Sequence, residues 1–383
     1  MLSPTQLQLS GNRFSIVYSL SGDRDEAYRK AEDICIEQTV EFPADLVPDD
    51  DIRRHIFGRI ERFTETPLGY EVEISFAEEI ASNEITQFLN VIFGNISLKP
   101  GIRVERINLS SQLHHLFTGP RYGIAGIREL LNIHNRPLLC TAVKPMGLSN
   151  QDLANLVYQF ARGGIDIIKD DHGIANQPFS PFKDRVSRCV EAIQKANRET
   201  GEHAIYVPNV TAPTIELRER AYYAKNAGAG GLLISAGIVG FDHVQELAND
   251  PELSLPILLH PSFLGSFVTN PNSGISHYAL FGQLARLAGA DIVIFPNYGG
   301  RFSFSKDECK EIIKGASDPM ANIKPIFPAP AGGMKLQVIH ELVEFYGRDV
   351  VLLIGGDLHR HGRDLIESSR IFRDLVCKYA WCN

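Results

Sequence analysis

Lys169, Asp170, Asp171 and His172 stand in a row in the stretch GGIDIIKDDHGIANQPF, directly after the apolar run Ile165 to Ile168. Carboxylates are hard oxygen donors that suit Mg²⁺, which takes one or two of them from a protein. The neighbouring imidazole can ligate a cation or move a proton near neutral pH. The lysine contradicts a metal site while it is an ammonium. A lysine that has reacted with CO₂ is a carbamate, an anionic oxygen ligand, and the contradiction disappears. Nothing in the spacing demands that modification. The plainer reading is a strand end in which Lys169 pairs with Asp170 or Asp171. Lys144 ends another apolar run and is a candidate general base, because a lysine that is partly desolvated or near a cation loses its proton more easily. A solvated lysine at a strand end is the alternative.

The elements that must carry these residues follow from the hydrophobic pattern. From Gly119 onward, eight short apolar runs alternate with amphipathic segments. They are Leu138 to Val143, Ile165 to Ile168, Ala204 to Val207, Gly231 to Ser235, Pro256 to His260, Asp291 to Phe295, Ile323 to Phe327 and Val350 to Ile354. That count, over about 260 residues, matches a (β/α)₈ TIM barrel, whose chemistry sits at the C-terminal strand ends. A doubly wound sheet is disfavoured because no GxGxxG follows the first run. The strand ends then read Lys144-Pro145, Lys169 to His172, Pro208-Asn209, Ser235, His260-Pro261-Ser262, Asn297 to Gly300, Gly332-Gly333 and Gly355-Gly356. Double glycines let backbone N–H groups approach phosphate oxygens, and those after strands seven and eight stand where barrels commonly hold phosphate.

Residues 1–118 read differently. Arg13 to Leu20, Cys35 to Phe42, Gly69 to Phe76 and Ile102 to Leu109 are strand-like, and Asp23 to Cys35 and Ser82 to Phe93 are helical. The order β-α-β-β-α-β is that of a ferredoxin-like α+β domain. The expected organisation is an N-terminal α+β domain over 1–118 and the barrel over 119–383.

Bulk properties exclude other classes. A net charge of −8 argues against nucleic acid as a partner. No apolar run reaches the roughly eighteen residues of a membrane span, and the N-terminus lacks the pattern of a signal peptide. Six scattered cysteines without a CxxC pair suggest reduced thiols and a cytoplasmic setting.

The segments GPRYGIAGIRELLNIHNRPLLCTAVKP and KPMGLSNQDLANLVYQFARGGIDIIKDDHGIANQPFSPFKDRV together resemble the large subunit of ribulose bisphosphate carboxylase (RuBisCO), and more closely the RuBisCO-like proteins that share its fold without fixing carbon. The resemblance covers nearly the whole chain. It implies that Lys169 is the carbamylated metal ligand, Asp171 the second ligand and Asp170 a non-ligand. It implies Mg²⁺, with Mn²⁺ as an alternative, and CO₂ held as the carbamate on Lys169. Lys144 matches the lysine that moves a proton at substrate carbon, and Gly332, Gly333, Gly355 and Gly356 match the phosphate turns. Glu37, in IEQTVEFP, and Asn95, in VIFGN, match active-site positions of the N-terminal domain. Asn95 is expected to reach a neighbouring subunit's site in a head-to-tail homodimer with shared active sites.

The departures shape the expected function. His172 replaces the family's third metal ligand, a glutamate, so it either ligates a more tolerant ion such as Mn²⁺ or acts as an acid or base. Ser262 and Phe263 stand where the carboxylase has a histidine and an arginine. The segment NYGGRFSFSKDE lacks a clear counterpart of the lysine that contacts CO₂. Lys144-Pro145-Met146 is one residue shorter than the corresponding motif. These changes point to a metal-dependent enzyme that forms an enediolate on a phosphorylated keto-sugar or 3-oxo sugar-acid phosphate. The outcome is isomerisation or tautomerisation, or decarboxylation or hydrolysis, and His172 weighs slightly against the enolases of methylthioribose salvage. A catalytically silent barrel and a genuine carboxylase are the alternatives. His260 is a candidate substrate contact or a packed strand-end residue. His359 and His361 are either substrate contacts or solvated, while His114, His115 and Trp381 read as structural.

Overall fold

The computed structural model describes residues 6–82, 84–110, 113, 117–302 and 304–380. His114, His115 and Trp381 lie outside the described residues. The chain divides into two compact units, one of residues 1–118, 264–284 and 319–323, the other of residues 119–263, 285–318 and 324–383.

The first unit is built on a sheet of β1 (Arg13–Leu20), β2 (Arg59–Thr66), β3 (Gly69–Ala77) and β4 (Ile102–Asn108) in the order β4-β1-β3-β2. These pairings are antiparallel, and helices Arg24–Glu37 and Ile85–Phe93 complete the β-α-β-β-α-β order. The second strand is not Cys35 to Phe42. The first helix runs through Cys35 to Glu37, because Ala27, Ala31, Ile34 and Cys35 form its buried stripe. The true second strand, RIERFTET, is an edge strand with no fully buried residue, so it shows no apolar alternation to read. Segments 264–284 and 319–323 interrupt the barrel sequence and group with this unit. The two-residue strand Gly274–Ile275 (β10) pairs in parallel with β4.

The second unit is a parallel barrel of β5 (Leu138–Val143), β6 (Ile167–Asp170), β7 (Ile205–Val207), β8 (Leu232–Ile234), β9 (Ile257–Leu259), β11 (Ile292–Pro296), β12 (Phe327–Ala331) and β13 (Val351–Leu353). The sheet order β7-β6-β5-β13-β12-β11-β9-β8 is completed by a parallel bridge from Asn209 to Leu233, which joins the two end strands. Helices between the strands wrap the outside. The seventh strand is FPAPA, four residues beyond the expected Ile323 to Phe327. Pro328 and Pro330 cannot donate ladder hydrogen bonds, and two prolines read as a break in a strand pattern.

Cys140, Ile167, Val207, Leu233, Leu258, Ile294, Ala329 and Leu353 fill the barrel interior. Ile127 and Leu131 from the helix Gly123–Leu131 join that cluster, beside the strand starts. Side chains alternate along a strand. Continuing each strand in steps of two therefore carries the inward parity from this core to Lys144, Lys169, Asp171, Asn209, Ser235, His260, Pro296, Ala331 and Gly355 at the opposite rim. Among the described residues, no helix is long and apolar enough to cross a membrane.

Candidate active site

Parity separates the two aspartates. Lys169 shares its register position with Ala142. Asp170, one residue on, turns away from the interior and is fully buried. Its carboxylate accepts from Arg185 Nε at 3.1 Å, the Tyr206 hydroxyl at 2.6 Å and the Asn209 backbone N–H at 3.0 Å. Both partners in the Arg185–Asp170 ion pair are wholly out of solvent. Asp170 thus anchors the strand end to the helix Phe182–Thr200. Asn209, 1% exposed, donates in turn to the carbonyls of His172 and Ile174 at 2.9 and 3.1 Å. The turn that carries His172 is held from β7. Sequence reasoning places Asn209 at a strand end but assigns it no role. Tyr206 and Arg185 carry no sequence signal, because their partner lies 36 and 15 residues away.

Lys169 is 2% exposed, and its Nζ donates to the Asp170 carbonyl at 3.1 Å. Burial pushes its ammonium below the usual lysine range; Cys140 and Asp171 oppose that, and the charge of Lys144 reinforces it. Burial alone would raise the Asp171 carboxyl. The hydrogen bond from His172 and the charges of Lys144 and Lys169 outweigh it, holding Asp171 well below the usual carboxylate range. His172 Nδ1 lies 3.2 Å from Asp171 Oδ1, and the half-exposed ring stacks on His260 at 4.2 Å between centroids and 15° between planes. His260 is pushed down to about 2, chiefly by burial, with the charges of Lys169 and His172 adding to it. Its Nδ1 accepts the Ser262 N–H at 3.2 Å, with the Ser262 hydroxyl at 2.8 Å. That bond leaves the proton of the neutral ring on Nε2.

Lys144 stands beside the eighth-strand turn: a Cβ built on Gly355 would lie 3.8 Å from its Nζ. His359, from the short helix Asp357–His361, packs edge-on to Phe160 at 5.7 Å and is lowered by burial and by the charge of Lys144. Gly332 and Gly333 adopt φ of +94° and +71°, a left-handed backbone that glycine takes without strain. A Cβ on Gly333 would lie 3.4 Å from Gly299 O and Gly300 Cα, so the sixth- and seventh-strand glycine turns lie against each other. Phe263 is 76% exposed at φ +69°. The structure thus brings Lys144, Lys169, Asp171, His172 and His260 to one end of the barrel, with the Gly332-Gly333 and Gly355-Gly356 turns on the same rim. Glu37 and Asn95 belong to the first unit. Glu37 ends the helix Arg24–Glu37, and Asn95 Nδ2 donates to Glu41 Oε1 at 2.8 Å. Gln38 ties the two places together by donating to the Asn90 and Val91 carbonyls at 2.6 and 2.7 Å and accepting the Ile96 N–H at 3.2 Å.

Residues 123–367 match the family model described as ribulose bisphosphate carboxylase large chain, catalytic domain. The chain belongs to the RuBisCO large-chain family. Within the family it is similar to ribulose bisphosphate carboxylase-like protein 1 of Rhodopseudomonas palustris, 37% identical over 96% of this chain and 98% of that one. It is also similar to the 5-methylthioribulose-1-phosphate isomerase of Rhodospirillum rubrum, 34% identical over 94% of this chain and 95% of that one. The crystal structure of a RuBisCO-like protein from Rhodopseudomonas palustris superposes with a TM-score of 0.87 at 36% identity, covering 96% of this chain and 98% of that one. These likenesses extend over both units and place the chain on the RuBisCO-like branch.

The donor set can be tested against the family's metal. Among the described residues no three His, Cys, Asp or Glu side chains come together as a ready ligand set. Asp171 and His172 supply two donors, so a divalent cation here needs Lys169 as a third. An ammonium cannot serve and a carbamate can. Burial favours the neutral amine of Lys169, the form that attacks CO₂, and among the described residues its Nζ donates only to a backbone carbonyl. The residues fit the group on that condition.

Proposed function

We propose that this RuBisCO-like chain is a non-carboxylating enzyme that forms an enediolate on a phosphorylated keto-sugar or 3-oxo sugar-acid phosphate. The observation that carries the reading is the convergence of Lys144, buried Lys169 and Asp171 on one rim, and by the sequence resemblance an exposed phenyl ring, Phe263, stands where the carboxylase has an arginine. A phenyl ring offers no donor to a phosphate, which supports a monophosphate held at the Gly332-Gly333 and Gly355-Gly356 turns.

Lys169 as its carbamate, Asp171 and His172 would hold Mg²⁺ or Mn²⁺. The bound cation would polarise the substrate carbonyl and make its α-proton acidic. Lys144 Nζ takes that proton, the electron pair of the C–H bond forms the carbon–carbon double bond, and the carbonyl π pair moves to the oxygen. Returning the proton to the adjacent carbon completes an isomerisation. For a 3-oxo acid, the bond to the carboxyl group breaks instead, CO₂ leaves, the electron pair forms an enolate with the 3-carbonyl oxygen, and a proton delivered to carbon completes the step. His172 steadies the Asp171 carboxylate through Nδ1 and leaves Nε2 for a cation or a proton, while His260 presents Nε2–H to the substrate. Glu37 and Asn95 complete the site of a neighbouring subunit in a homodimer, and the enzyme works in the cytoplasm, where its buried thiols stay reduced.

The isomerase named among the relatives supports enolisation chemistry on a phosphorylated ketose. The test is product analysis. With ¹³C-bicarbonate and ribulose bisphosphate the purified protein should incorporate no label, while a panel of phosphorylated ketoses and 3-oxo sugar acids should yield an isomer or released CO₂ or formate. Labelled carboxylic acid from the bisphosphate would overturn the reading.

A further inference from the structure

An open concavity of 260 Å³, lined by residues that follow the seventh- and eighth-strand glycine turns, is not used by the proposed chemistry. Lys335, two residues past Gly333, and Arg360 and His361 of the helix Asp357–His361 line it, all three exposed. Leu336 and Phe372, the latter fully buried on the helix Leu365–Ala380, supply apolar wall, and Asp357 is the one acid in the lining. The Lys335 and Arg360 side chains have no hydrogen bond or ion pair among the described residues. In a chain of net charge −8, two unneutralised cations and an imidazole facing one concavity make a local positive field against the overall sign.

We propose that this cavity is a second anion site, separate from the substrate turns, that takes a small phosphate dianion. The small concavity suits inorganic phosphate or a short phosphate monoester. Arg360 offers the fork that matches phosphate oxygens, and Lys335 the opposing point charge. Both loops that supply these residues begin at the glycine turns, so an anion bound here bears on the backbone that approaches the substrate phosphate. The site stands whether or not the enediolate reading holds.

The test is amide NMR of the full chain titrated with inorganic phosphate and, separately, with ribose 5-phosphate. The amides of Leu336, Asp357 and His361 should shift with a saturable dependence. Lys335→Ala and Arg360→Ala should each weaken that binding by roughly tenfold or more, with the thermal midpoint unchanged. Tighter binding of ribose 5-phosphate would identify an esterified metabolite, and equal or tighter binding of phosphate the free anion. Shifts confined to the amides of Gly332, Gly333, Gly355 and Gly356, or shifts at the cavity that both variants retain, would overturn the proposal.

Discussion

Removing the Asp170 carboxylate should cost more stability than removing any exposed charge in the molecule. Asp170→Ala leaves Arg185 charged in a place where both side chains have no solvent exposure. Breaking a buried pair from one side costs about 3–5 kcal/mol, since the remaining charge is uncompensated. The Tyr206 hydroxyl and the Asn209 N–H lose their acceptor in the same substitution. Arg185 keeps its bonds to the Ser180 carbonyl and hydroxyl and to the Ala175 carbonyl, which limits the loss. The contributions share one network and are not additive. At about 2–4 °C per kcal/mol for a unit of this size, the thermal midpoint should fall by roughly 6–20 °C. Circular dichroism melts at two scan rates would measure it. The pair Asp170→Leu with Arg185→Met should recover much of the loss, because neither charge is left buried alone. A fall of less than about 1 kcal/mol, or a double variant no better than the single one, would refute the reasoning.

Three further outcomes follow from the geometry. His260 should stay neutral in the fold, so its Cε1 proton should not titrate by NMR between pH 8 and 5. Its folded value lies below the unfolded one, so the fold loses stability as pH drops below about 6.5, where the unfolded chain takes up that proton, and His260→Asn should flatten that dependence. Cys35, Cys140, Cys189 and Cys309 are buried, and burial pushes Cys140 up to about 12, so these thiols should resist a disulfide reagent at pH 8 until the chain is unfolded. Gly355→Ala should melt within a few degrees of the parent, since its Cβ meets nothing closer than 3.8 Å, yet it should slow turnover because that nearest atom is Lys144 Nζ.

The barrel is legible in the sequence because strands of an all-parallel sheet are buried on both faces and read as apolar runs. The same property explains the failures. FPAPA is as buried as its neighbours, but its prolines hide it, and Arg59–Thr66 is exposed on both faces and shows no pattern. Lys144, Lys169 and Asp171 are legible as chemistry because charged residues ending apolar runs are unusual. What holds them is not legible. Asp170 reads from the sequence as a non-ligand or a partner of Lys169, and its actual partners, Arg185, Tyr206 and Asn209, come from the following helix, the next strand and the residues just past it. The stacking of His172 on His260 joins residues from the loops after β6 and β9, which no local spacing reveals. The return of Gly274–Ile275 to β4 is equally silent, since pairing at a sequence distance of 171 residues leaves no local trace.

The most direct measurement is proton exchange at the substrate's α-carbon. The protein is incubated in D₂O with Mg²⁺ or Mn²⁺, bicarbonate and the panel of phosphorylated ketoses and 3-oxo sugar acids, and the carbon-bound protons are followed by NMR. The account predicts deuterium at an α-carbon of at least one compound, abolished in both Lys144→Ala and Lys169→Ala. Full exchange in Lys144→Ala, or none with any compound in the parent protein, would contradict it.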